Sequence, residues 1–162
     1  MGIDIYSDGG ILFELDEAVN KFFKGLNKKT ISEVIEDCLP ILTEEDDIHF
    51  LKSVENLDDL KSWFIGLAQK SLDDNKYLDE EFLIIVWNKI INKTKFNDLP
   101  QVRFKYFTSN RYSGYEVPID TICLVFNDDD LFEVKMTAKG RAVAKKMGYK
   151  EIKKTSWTVY SY

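Results

Sequence analysis

The spacing of apolar residues changes at Pro100, and that change limits what this chain can fold into more than any other feature. Before it, apolar side chains recur every three or four positions, the repeat of a helix with one buried face. After it they alternate, which is the repeat of a strand.

Leu12, Leu15, Val19, Phe22 and Leu26 mark a first helical stripe. Thr30 followed by Glu33 has the form of a capping box and predicts a helix from about residue 31 that ends before Pro40. Thr43 and Asn56 are further N-cap candidates, the second opening a helix with Leu57, Leu60, Trp63, Phe64 and Leu67 on one face. The run Phe82–Trp87 is rich in β-branched residues. The acids at 79–81 ahead of it, and the repeat Leu78, Phe82, Val86, Ile90, favour a helix.

Beyond Pro100, residues 102–106, 119–126 and 131–137 read as strands, 138–147 as a short helix ended by Gly148, and 155–162 as a final strand. At the other end, "IDIY", "SDGG" and "ILFEL" suggest a short strand, a glycine turn, and then a second strand or a helix entry. The expectation is an α+β fold in a single domain, residues 1–162. Its mainly helical part, 1–100, packs with a C-terminal, mainly antiparallel sheet, 101–162, of order β-β-β-α-β; a short strand or a hairpin precedes both.

Charge follows the same division. Residues 1–100 hold 21 Asp and Glu against 11 Lys, whereas residues 101–162 hold 7 acids against 11 Lys and Arg. The expected surface is acidic on one part and basic on the other. No apolar run reaches the roughly 18 residues that span a bilayer, and "MGIDIYSDGG" lacks the basic and apolar regions of a secretion signal, so a cytoplasmic protein without membrane contact is expected. His49 is the one histidine and Cys38 and Cys123 are the two cysteines, which argues against a zinc site and against hydrolase triads with a histidine base. Both cysteines sit among apolar neighbours and read as buried thiols.

Four acidic groups stand out: Glu44, Glu45, Asp46 and Asp47; Asp58 and Asp59; Asp79, Glu80 and Glu81; and Asp128, Asp129 and Asp130. The first three fall in the opening turns of expected helices, where the helix dipole favours carboxylates by roughly 0.3–1 kcal/mol. Lys28, Lys29, Lys70, Lys89 and Lys93 are expected towards the opposite helix ends. Asn127–Asp130 lies between two strand-like runs and reads as a hairpin turn.

Glu133 and Lys135 share a strand face after an upstream Asp120, and the expected order from residue 79 is helix, three strands, helix, strand. In these residues and this order the last half of the chain resembles the PD-(D/E)xK nuclease family. The resemblance implies an Mg²⁺-dependent nuclease in which Asp120 and Glu133 hold the metal and Lys135 orients or activates the attacking water. Arg103, Lys105 and Arg111, interleaved with aromatics, and the later lysines suggest a nucleic-acid-binding module instead.

The leading expectation is a non-catalytic, acidic cytosolic protein that needs no cofactor. It would bind, and inhibit or regulate, a basic macromolecular partner such as a nucleic-acid enzyme, as an inhibitor, an immunity protein or a phage anti-defence factor does. The expected contacts are Glu44, Glu45, Asp46, Asp47, Asp128, Asp129 and Asp130, with Tyr112 and Tyr115 as anchors.

Overall fold

A computed structural model of the chain describes residues 4–75, 79–97, 102–107, 121–127 and 155–161. The chain divides into two compact units, Leu15–Asp98 and a second made of Met1–Glu14 with Leu99–Tyr162.

The first unit is helical. Helix α1 (Leu15–Phe22) buries Leu15, Ala18, Val19 and Phe22, one stripe at the three-and-four spacing. Gly25, at φ 88°, then reverses the chain in the left-handed region, where a side chain costs roughly 1–2 kcal/mol.

Helix α2 (Lys28–Cys38) starts three residues earlier than expected. Its cap is Asn27, not Thr30: the Asn27 side chain accepts from the Thr30 N–H at 2.9 Å, and the Thr30 hydroxyl accepts from the Asn27 N–H at 2.8 Å. Lys28 and Lys29 therefore open this helix instead of closing the one before it. A single 3₁₀ turn at Leu39–Ile41 takes in Pro40.

Helix α3 (Glu45–Lys52) and helix α4 (Leu57–Asn75) follow, the latter begun by Asn56, whose side chain accepts from the Asp59 N–H at 2.9 Å. Helix α5 (Glu80–Ile91) is capped by Asp79 and buries Leu83, Val86, Trp87, Ile90 and Ile91. The β-branched run is thus helical, because a cap and two first-turn acids precede it.

The centre of this unit is aromatic. Trp87 meets Phe22, Phe23 and Phe64 at centroid distances of 5.7, 5.5 and 5.7 Å, and Phe22 meets Phe96 edge-on at 5.0 Å. Such pairs contribute about 0.5–1.5 kcal/mol each beyond the area they bury. They join α1, α4 and α5. At the surface the Lys93 ammonium, just past α5, lies 3.3 Å from Glu33 and 4.0 Å from Asp37 on α2. None of the five helices is long and apolar enough to cross a membrane.

The second unit corrects the expected fold class. Strands β1 (Asp4–Glu14), β2 (Val102–Phe107), β3 (Thr121–Asn127) and β4 (Thr155–Ser161) are antiparallel neighbours in the order β2-β3-β1-β4. A C-terminal sheet of order β-β-β-α-β is not shown: the described residues are mainly helical, and β4 pairs with β1, not with another C-terminal strand. The expected strand 131–137 and helix 138–147 lie outside the described residues.

The N-terminal segment is also not a hairpin. It is one strand of 11 residues that runs through Gly9 and Gly10 without turning. Residues Asp4–Gly10 pair with β4 and Gly10–Glu14 with β3, so Gly10 is the point where β1 passes from one neighbour to the other. A glycine pair permits a turn but does not require one: Gly9 is paired with β4, and Gly10 with both β4 and β3.

Alternation is clear where side chains are described. Phe13, Leu124 and Phe104 stand in one row across three strands and are buried with Val102 and Ile122; Glu14 and Arg103, on the other parity, are exposed.

Candidate functional site

The acids Glu44–Asp47 lie where the helix dipole draws them. Glu44 is the N-cap residue of α3, without a side-chain cap bond, and Glu45, Asp46 and Asp47 make up the first turn. The four do not act alike. Glu44, Glu45 and Asp46 are exposed, and among the described residues no ion pair neutralises them.

Asp47 turns inward. Its side chain keeps 16% of its exposure and lies 3.8 Å from the Lys70 ammonium on α4, while its backbone carbonyl accepts from Trp63 Nε1 at 3.1 Å. Burial raises its carboxyl above the ordinary aspartate value; Lys70 opposes that shift, and the neighbouring charges of Glu44 and Asp46 add to it. Asp47 is therefore half-buried and braces α3 against α4.

Leu51, fully buried, fixes the inner face of α3. The outer face is then set by helical spacing: Asp46, His49, Phe50 and Ser53 fall at i, i+3, i+4 and i+7, and all four are exposed. Phe50 retains 46% of its surface and is one of two large apolar side chains left open among the described residues; the other is Ile85, on α5. An exposed ring one helical turn from Asp46 can pack on an aliphatic stem or receive a guanidinium on its face while that carboxylate meets the cation.

Phe50 was not among the expected contacts. Its signal was present: Ile48 and Leu51 form the inward stripe of α3, and Phe50 falls about 100° off Leu51 on a 3.6-residue helix.

Asp128, Asp129, Asp130, Tyr112 and Tyr115 lie outside the described residues, as do the nuclease-type residues Asp120, Glu133 and Lys135. No group of three or more His, Cys, Asp or Glu among the described residues is arranged to hold a metal ion. Cys38 is buried and unpaired, and burial pushes its thiol up to about 12 against the pull of Lys89, so it offers no thiolate near neutral pH.

A shallow groove of about 740 Å³ runs between α2 and the connection from α3 to α4. Leu26, Ile31, Ile35 and Val54 line it, with Lys28 and Glu55 also at its wall. No protein-family model matches the chain, and no curated protein or solved structure matches it.

Proposed function

We propose that this chain is a cytosolic, acidic, non-catalytic protein that binds a basic macromolecular partner and inhibits or regulates it. The supporting observation is the start of α3, where Glu44, Glu45 and Asp46 are exposed without counter-ions among the described residues, and Phe50, which stands open one helical turn on from Asp46. Unneutralised carboxylates on a chain of net charge −6 raise encounter rates with a cationic surface. A central aromatic then supplies the short-range contact that slows dissociation. A nucleic-acid enzyme, whose own substrate is polyanionic, is the class of partner that such a surface suits.

The test is affinity capture from lysate of the source cell, run in parallel with wild-type protein and the Glu44→Gln/Glu45→Gln/Asp46→Asn variant at low and high salt. A cationic protein retained by the wild type, released by salt and absent from the variant's eluate is the expected result. Identical eluates from the two would overturn the proposal. Mg²⁺-dependent cleavage of an oligonucleotide that is lost in Glu133→Ala would replace it with nuclease activity.

A further inference from the structure

We draw no further inference here: the strongest candidate, the groove between α2 and the α3–α4 connection, sets Lys28 and Glu55, of opposite charge, beside an apolar lining, and nothing in the structure shows what covers it.

Discussion

The indole N–H of Trp63 donates to the backbone carbonyl of Asp47 at 3.1 Å, across 16 residues of chain, and so holds the acidic end of α3 against α4. The ring itself is 2% exposed, so this bond forms at the edge of the core. Trp63→Phe keeps most of the apolar contact and removes the donor, with an expected cost of about 1–3 kcal/mol in urea unfolding. Trp63→Ala opens a cavity as well and is expected to cost about 3–5 kcal/mol. Equal stability of Trp63→Phe and wild type would show that the bond contributes nothing.

Asp47 gives a pH dependence of unusual sign for a paired aspartate. Its folded-state carboxyl lies above the unfolded value, so the folded form binds the proton more tightly. Stability from this group is fully present below the unfolded aspartate value and is lost as pH rises through the raised folded value. Asp47→Asn removes that dependence. Wild type measured against Asp47→Asn should gain relative stability as pH falls through the raised folded value to below the unfolded aspartate value in denaturant titrations, and a relative loss on acidification would show that Lys70 outweighs burial at this carboxyl.

Cys38 should be inert in the native protein. With the thiol pushed up to about 12 and the side chain fully covered, a disulfide reagent at pH 8 should modify it only at the rate of unfolding. A Cys123→Ser background isolates the signal. Rapid labelling there without denaturant would show that α2 opens locally.

The Asn27 and Thr30 bonds form one reciprocal cap, and removal of either partner should cost about 1 kcal/mol. Asn27→Ala and Thr30→Ala together should cost somewhat less than the sum of the two, because the bond the two side chains share, from the Thr30 hydroxyl to Asn27 Oδ1 at 3.2 Å, is lost in either single variant, whereas each bond to a backbone N–H is lost only with its own side chain. Thermal unfolding of the two single variants and the double variant measures the coupling. Strict additivity would mean that the two bonds act independently.

Phe50→Ala should leave the fold within about 0.5 kcal/mol of wild type, since roughly half of the ring already meets water. Affinity for a captured partner should nonetheless fall at least tenfold by surface-immobilised binding measurement, the scale expected of an aromatic anchor. Unchanged affinity would place the contact elsewhere on the chain.

The starts of α4 and α5 were legible from local signals, whereas Thr43 is not the cap of α3, whose N-cap residue is Glu44. Asp79 with Glu80 and Glu81, and Asn56 with Asp58 and Asp59, combine a cap with first-turn acids, and both starts stand where the residues put them. The start of α2 was misplaced because Thr30 and Glu33 have the form of a capping box, while Lys28 and Lys29 look like the basic end of a helix. Only the reciprocal bond between Asn27 and Thr30 shows that they begin one.

Within the acidic quartet, the outward trio and the inward Asp47 cannot be told apart by residue type. Their difference comes from Lys70 and Trp63, which approach from another helix. The sheet was least legible. Alternation identifies a strand but does not name its neighbour, and β1 finds both of its neighbours more than 100 residues away.

That position of β1 orders events during synthesis. Asp4–Glu14 leaves the ribosome before any residue it pairs with, and β4 follows about 140 residues later, roughly 7–30 s at ordinary elongation rates. The helices between them hold their own core and can consolidate in that interval. The nascent β1, with both of its hydrogen-bonding edges open, is the segment a chaperone would have reason to shield.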